Sequence, residues 1–208
     1  MADLIPASSA SSTENPRAGG TLILVLIYLG AAVVVLIVVA LIMFFRMTKS
    51  LELRAFRAPS DSMCPTICLN ERLIVGMDVF RWRQPVRGDV ILFAHPPGGP
   101  RFLKRVVAVG GDNIAPGPTN TILVNGNAVA WPNVCGEPVR DAELSAEPIT
   151  FFPLTVPKDS FFVVGDNLNH SLDSRYKDYG FVQRDQVQGK ALLIYWSPGK
   201  SRIGCSVR

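Results

Sequence analysis

The chain has 208 residues, 48% of them hydrophobic, and its formal net charge at pH 7 is +4. Once an N-terminal apolar run is set aside, roughly 160 residues remain for one domain, enough for a substantial hydrophobic core. The basic residues are scattered and form no Lys/Arg run, so the sequence argues against a nucleic-acid partner.

The N-terminal part divides into a tail and an apolar run. Residues 1–20 are rich in Ala, Ser, Pro and Gly and are predicted to be disordered. Residues 21–45 carry no charge and are long enough to cross a bilayer as a tilted helix. This run is too long for a removable signal peptide and lacks a cleavage site at its end. We therefore prefer a transmembrane helix to a signal peptide or a buried helix of a soluble domain.

The remaining chain has the pattern of a β domain. Short apolar runs separated by Gly, Pro, Asn and Asp predict strands at 72–75, 90–93, 102–109, 121–124, 161–164 and 191–196. Asn125 and Gly126 predict a tight hairpin turn after the fourth run. Residues 131–157 are rich in proline and are a candidate insertion or irregular loop within a domain spanning 46–208. The predicted fold is mostly β and antiparallel, preceded by one transmembrane helix.

Residues 58–66 contain two serines that are separated by one residue. Ser60 and Ser62 lie between Pro59 and Pro65, and proline favours stiff, extended backbone around itself. A rigidly held serine suits a nucleophile, because a displacement of about 1 Å can lower the rate about 100-fold. An ordinary Ser/Pro loop is the alternative interpretation.

Lys104 interrupts the apolar run 102–109. Burial disfavours the charged form of a lysine and lowers its pKa, and a neutral amine can accept a proton from a serine hydroxyl. The run predicts that Phe102, Leu103 and Val106 surround the amine. The alternative is a lysine on an edge strand that faces water.

Four segments together resemble the bacterial type I signal peptidases, which are membrane-anchored Ser/Lys proteases. They match the family's nucleophile box, its Arg-Gly-Asp-hydrophobic box, its Lys-Arg box and its Gly-Asp-Asn…Ser-x-Asp-Ser-Arg box, in family order, at 59–66, 87–93, 104–112 and 165–175. The chain departs from the family at 168–170, where Leu-Asn-His replaces the usual Arg-Asp-Asn, and at Gly110, where a proline is usual. The resemblance implies two antiparallel sheets and cleavage of signal peptides from exported preproteins.

The resemblance also implies roles for the serines and the lysine. Ser62 would attack the scissile carbonyl, and Lys104 would be its general base. Ser60 would donate a hydrogen bond to the oxyanion together with the Ser62 backbone N–H, and Ser171 would orient the Lys104 amine through a hydrogen bond. A turn-capping serine is the alternative for Ser60, and an ordinary turn serine is the alternative for Ser171.

Further residues are implied to support the site or to bind substrate. Asp173 and Arg175 would form a structural ion pair that supports the turn 165–175. Signal peptides carry small residues one and three positions before the cut, and the resemblance implies that five side chains surround these positions: Phe56, Ala58, Met63, Phe102 and Leu103. Ordinary core packing is the alternative for these five residues.

The four cysteines and two histidines offer rival chemistry. Cys64 lies inside the nucleophile box but would need a basic partner, and no CxxC or Cys/His zinc spacing occurs. A Cys135–Cys205 disulfide is one pairing open to a domain outside the cytoplasm. His95 lies in a Pro/Gly loop and His170 in a polar turn, so a Ser-His triad is disfavoured. The sequence implies neither a metal nor an organic cofactor.

The expected partners are preprotein signal peptides, membrane lipid and the secretion translocon. Arg17 precedes the apolar run, whereas four basic residues follow it closely, and the positive-inside rule alone places the domain in the cytoplasm. The resemblance implies the extracytoplasmic side of the cell membrane, and we adopt it, with the basic flank contacting lipid headgroups. Two alternative functions stay open: a conjugation or pilin maturation peptidase of the same superfamily, and a non-catalytic, membrane-tethered β domain that binds peptides.

Overall fold

The computed structural model describes residues 16–48, 52–118, 121–131, 135, 151 and 153–207. The chain divides into two compact units, Met1–Ser50 and Leu51–Arg208. Most of the candidate insertion at 131–157 and the tail before residue 16 lie outside the described residues.

The described residues of the first unit form one long helix. Helix α1 spans Pro16–Thr48, so residues 16–20, which were predicted to be disordered, are helical. Pro16 is compatible with this start because proline is tolerated in the first turn of a helix, where its missing N–H has no helical acceptor. The segment Ile23–Phe44 is long and apolar enough to cross a membrane, and its side chains are exposed.

The second unit is built from antiparallel strands, as predicted. Among the described residues the strands are β1 (Leu53–Arg57), β2 (Arg72–Gly76), β3 (Val90–Ala94), β4 (Arg101–Val109), β5 (Asn113–Pro116), β6 (Ile122–Val124), β7 (Asn127–Ala128), β8 (Leu154–Thr155), β9 (Ser160–Val164), β10 (Val182–Gln183) and β11 (Val187–Trp196). Single turns of 3-10 helix occur at Val79–Arg81 and Arg184–Gln186.

The described strands form two sheets. The larger has the order β1-β2-β11-β3-β4-β9-β10, and the smaller has the order β7-β6-β5-β8. The predicted hairpin turn lies between β6 and β7, where Asn125 and Gly126 have φ angles of 52° and 82°. These left-handed angles are those of the two central residues of a type I′ turn, which explains the Asn-Gly pair.

The core lies on both faces of the larger sheet because its central strands are mainly apolar. Strands β3 and β9 are buried along their whole length. One buried cluster packs the segment after β1 against β2, β3 and β11, and its members are Ala58, Met63, Ile67, Leu73, Val75, Val90, Leu92, Ala191, Ile194 and Val207. The segment with the two serines is therefore anchored in the core by Ala58, Met63 and Ile67.

Candidate active site

The segment that carries the two serines is turned rather than extended. The Cys64 N–H donates to the Asp61 carbonyl at 2.9 Å, and the Ile67 N–H donates to the Met63 carbonyl at 2.8 Å. The prediction of extended backbone through this segment is therefore wrong. Proline restricts its own φ and the preceding residue, but Asp61 and Ser62 are not next to a proline on the restricted side, so local hydrogen bonds decide their conformation.

Ser62 and Lys104 lie in hydrogen-bond contact, with Lys104 Nζ 2.9 Å from Ser62 Oγ. Lys104 lies within β4, paired with Ile91 of β3, and is only 2% exposed. Burial lowers the pKa of its amine to about 8, and the neighbouring Asp173 carboxylate partly opposes this shift. The arrangement pairs a hydroxyl with a base that is partly neutral near pH 8.

Ser60 lies on the same side of the segment as Ser62. Its Oγ donates a hydrogen bond to Ser62 Oγ at 3.3 Å. Ser60 is exposed, so its hydroxyl is open to a molecule that approaches Ser62. A donor at this distance from the attacking oxygen can reach the oxygen of a carbonyl under attack.

The turn that carries Ser171 differs in part from the prediction. The Ser171 hydroxyl is buried and has no hydrogen-bond partner among the described residues, so the predicted bond to the Lys104 amine is not formed. Lys104 Nζ instead contacts Ser62 Oγ. Asp173 and Arg175 do form the predicted ion pair at 2.8 Å, and Asp173 also accepts the Gly165 N–H, which ties both ends of the turn together.

Asn167 contacts the segment that carries the two serines, a contact that was not predicted from the sequence. Its backbone N–H donates to the Ser62 carbonyl at 3.1 Å, and its side-chain amide donates to the Asp61 carbonyl at 3.3 Å. Asn167 belongs to the Gly-Asp-Asn box, so the family motif marked the residue without indicating what it contacts.

A buried ion pair lies beside this contact. Arg105 forms two hydrogen bonds with the Asp166 carboxylate at 2.8 and 2.6 Å, and the Thr66 hydroxyl also donates to that carboxylate. The same guanidinium donates to the Gly88 carbonyl at 2.7 Å. A buried charge is tolerated when it is paired and hydrogen-bonded in this way. The pair joins β4 to the segment that carries the two serines and to the turn after β9.

The five predicted substrate-binding residues line one cleft. The cleft has a volume of about 430 Å³ and is also lined by Arg57, Pro59, Ser60, Ser62, Ile67, Leu92 and Arg101. It is mainly apolar and has the two serines in its wall. Such a cleft can take small apolar side chains of an extended peptide next to Ser62.

Cys64 and His170, which were considered as rival catalytic residues, both have other partners in the structure. Cys64 forms a disulfide with Cys68, a pairing that the sequence analysis missed, and the Cys135–Cys205 disulfide is present. A disulfide sulfur is not a thiolate, so Cys64 is no nucleophile here. His170 contacts the Asp61 carboxylate at 3.0 Å and holds the pKa of that carboxyl below its usual value.

His95 is stacked on Tyr179, with ring centroids 4.3 Å apart. In the part of the chain that the structure describes, no hydrogen bond joins Ser62 to either histidine. Among the same residues, no group of three or more His, Cys, Asp or Glu side chains is arranged to hold a metal ion.

Comparison with known proteins identifies the family. The family model for "Signal peptidase, peptidase S26" matches residues 27–196. Signal peptidase I of Leptolyngbya laminosa is 34% identical over 161 residues, covering 71% of this chain and 73% of the relative. A probable signal peptidase I-1 of Synechocystis is 33% identical over 170 residues, covering 74% and 80%.

Among solved structures, a signal peptidase I from Enterococcus faecalis is 30% identical, with a TM-score of 0.41, and the match covers 52% of this chain and 97% of that chain. The family assignment rests on the sequence matches: the family model spans most of the chain, and the relatives are matched over more than two thirds of their length. The chain belongs to the signal peptidase family, peptidase S26.

Proposed function

We propose that this type I signal peptidase uses Ser62 as its nucleophile and Lys104 as its general base to cleave signal peptides from exported preproteins. The observation that carries the proposal is the 2.9 Å contact between the buried Lys104 amine and the Ser62 hydroxyl. A base with a pKa of about 8 is partly neutral at physiological pH, as general base catalysis requires.

Acylation follows from this contact. Neutral Lys104 accepts the hydroxyl proton while Ser62 Oγ forms a bond to the carbonyl carbon of the scissile peptide, and the carbonyl electron pair moves to oxygen. The tetrahedral intermediate collapses with cleavage of the C–N bond, and the Lys104 ammonium gives its proton to the leaving amine. The products are an ester on Ser62 and a new amino terminus. Deacylation follows the same steps with water as the nucleophile. Neutral Lys104 accepts a proton from water while the water oxygen bonds to the ester carbonyl carbon, and the C–O bond to Ser62 then breaks as the ammonium returns the proton to Ser62 Oγ.

The oxyanion of the intermediate is held by Ser60 and the Ser62 backbone N–H in this proposal. The 3.3 Å contact between the two hydroxyls supports it, because a donor beside the attacking oxygen is also close to the carbonyl oxygen. One such donor contributes roughly 3–4 kcal/mol to transition-state stabilisation in related acyl transfers.

Substrate selection is assigned to the apolar cleft. Its volume of about 430 Å³ suits small side chains one and three positions before the cut. The five predicted lining residues are Phe56, Ala58, Met63, Phe102 and Leu103. Larger side chains at these positions would collide with the buried Ala58 and Met63, which belong to the core cluster and have little freedom to move.

We further propose that residues 21–45 anchor a catalytic domain, residues 46–208, on the extracytoplasmic side of the membrane. The apolar helix segment Ile23–Phe44 supports an anchor, and exported substrates present their cleavage sites on that side. Lipid headgroups would contact the basic residues after the span, and the secretion translocon would deliver substrates. A C-terminal reporter that is active only in the cytoplasm would contradict this side.

The decisive experiment is cleavage of an ordinary secretory preprotein by the purified full-length protein in lipid vesicles, with sequencing of the new amino terminus. We expect one cut after a small residue, and loss of cleavage in Ser62→Ala, Lys104→Ala and the double variant. The double variant should be no worse than either single one, because the two residues act as a unit. Cleavage at the wild-type rate in either single variant would exclude the dyad.

The same assay separates the alternative functions. Cleavage of pilin-type substrates alone would indicate a dedicated maturation peptidase. Binding of the preprotein without cleavage would indicate a peptide-binding domain.

A further inference from the structure

The C-terminal segment Ser197–Val207 folds back along β11. The Ile194 N–H donates to the Cys205 carbonyl at 2.9 Å, and the Val207 N–H donates to the Leu192 carbonyl at 2.8 Å. Val207 is buried in the core cluster that also contains Ala58 and Met63. The family match ends at residue 196, so this segment lies outside the part of the chain that the family model describes.

Arg202 extends from this segment to the loop that follows Ser62. Its Nη2 donates to the Thr66 carbonyl at 2.5 Å, and its Nη1 lies 3.9 Å from Cys68 Sγ. Its Nε lies 2.9 Å from Glu71 Oε1, close enough for an ion pair although the angle is outside that of an aligned hydrogen bond. One guanidinium therefore contacts the loop at three points between residues 66 and 71.

Glu71 is only 1% exposed, so its carboxylate depends on these partners. It accepts the Cys68 N–H at 2.8 Å on one oxygen, and on the other it accepts the Ser197 hydroxyl at 2.9 Å and contacts Arg202. A buried carboxylate that loses its cationic partner is left uncompensated. The Glu71–Arg202 pair thus holds the loop only while both members are present.

The loop is held from the opposite direction by the turn 165–175. Asn167 contacts the Ser62 carbonyl, and the Arg105–Asp166 pair contacts the Thr66 side chain. The Thr66 hydroxyl is therefore held by Arg105 and Asp166, and the Thr66 carbonyl is held by Arg202. A residue that is hydrogen-bonded through both its side chain and its carbonyl has little conformational freedom. Ser62 is only four positions away, so this restraint also limits the movement of Ser62.

We propose that Arg202 is a positioning residue for Ser62, holding the nucleophile loop through the Thr66 carbonyl and Glu71. This inference rests on the proposed role of Ser62 as nucleophile and adds a contribution from outside the family match. Arg202 does not contact Ser62 and acts through the backbone of the loop. Because an error of about 1 Å at the attacking atom lowers the rate about 100-fold, a slackened loop should reduce turnover more than substrate binding.

The test compares Arg202→Ala, Arg202→Lys and wild type in preprotein cleavage by the full-length enzyme, with kcat and KM measured separately and the folded fraction measured by thermal unfolding. We expect Arg202→Ala to lower kcat about 10- to 100-fold with KM within about twofold. Arg202→Lys keeps the charge but cannot contact Glu71 and the Thr66 carbonyl with one planar group, so it should restore kcat only in part. Millimolar guanidinium should also restore part of kcat in Arg202→Ala, because Arg202 is partly exposed.

Arg184→Ala is the matched control. Arg184 also ties distant segments together, donating to the Phe80 carbonyl and to Gln84 Oε1, and its contacts are remote from Ser62. We expect this variant to keep the wild-type kcat, whatever its effect on the melting temperature.

Arg202→Met combined with Glu71→Gln covers the case in which Arg202→Ala does not fold, since removing both charges leaves no buried ion unpaired. A folded variant of either kind with kcat within twofold of wild type overturns the proposal. So does a loss of activity that only follows the folded fraction. Failure of the proposed function would be seen separately, as wild-type cleavage by Ser62→Ala.

Discussion

Lys104 Nζ lies 2.9 Å from Ser62 Oγ although 42 positions separate the two residues in the chain. Lys104 belongs to the interior of a β-strand, whereas Ser62 belongs to a turn that is held by Asn167 from a third segment. The contact therefore depends on three separate pieces of chain. Strand β4 is paired on both sides, which fixes the backbone at Lys104, and the lysine is only 2% exposed.

The pH dependence of the rate follows from the burial of Lys104. In the proposed mechanism only the neutral amine accepts the serine proton, so kcat should rise with pH and level off above the pKa of about 8. A lysine in water would give a rise near 10.4 instead. The profile should be measured with a peptide substrate that carries no titrating group in this range. A midpoint near 10 would show that the amine is solvated in the working enzyme.

Protein stability should also respond to this lysine. The pKa of Lys104 is lowered from 10.5 in the unfolded chain to about 8 in the fold, so between these values the unfolded state binds more protons. The free energy of unfolding should therefore rise as pH increases from about 8 to about 10.5. Below pH 8 the full cost of burying the amine is present. Lys104→Met should lack this rise, measured by denaturant unfolding at several pH values with Lys158→Met as a control at an exposed lysine. Equal pH responses in Lys104→Met and wild type would contradict the burial.

Ser60 is expected to affect turnover rather than stability. Ser60→Ala should lower kcat roughly 100- to 1000-fold with KM nearly unchanged, because the lost hydrogen bond forms mainly in the transition state. Ser60→Thr keeps the hydroxyl and should retain much of the rate if the exposed site accepts the methyl group. A role in capping the turn would instead lower stability by about 1 kcal/mol with kcat intact. Melting temperature and kcat of Ser60→Ala together decide between the two roles.

Gly165 is expected to tolerate no side chain. A Cβ at this position would overlap the Ser171 hydroxyl and the Ser62 carbonyl oxygen. Gly165→Ala should therefore push Ser62 away from Asn167 and lower kcat at least about 10-fold. Gly30→Ala, on the apolar helix, where an added Cβ meets no described protein atom within 4 Å, is the control and should keep the wild-type rate. Equal rates in the two variants would mean that the segment can move without loss.

Some features were predictable because they are local properties of the sequence. The apolar run 21–45 is long enough to predict a helix. The helix in the structure is longer than the run at both ends and spans Pro16–Thr48. The six apolar runs became strands because β-branched and aromatic residues suit a buried, pleated surface. Strand β1 was missed because its sequence, Leu-Arg-Ala-Phe-Arg, has neither a continuous apolar run nor strict alternation, and four of its five residues are exposed. The fourfold motif match indicated Ser62 and Lys104, and the fold brings them into contact.

The sequence by itself therefore determined the helix, the β class and the family motifs, all of which are written in runs of neighbouring residues. Only the tertiary structure decided the turn at Ser62, the disulfide between Cys64 and Cys68, and the burial of the Ser171 hydroxyl with no hydrogen-bond partner among the described residues. It also decided that Arg202 contacts the Thr66 carbonyl across 136 positions. Such contacts depend on where sheet pairing places distant loops, and many arginines in a chain have the same local chemistry. Which one reaches a buried carboxylate is chosen by the packing of the whole domain.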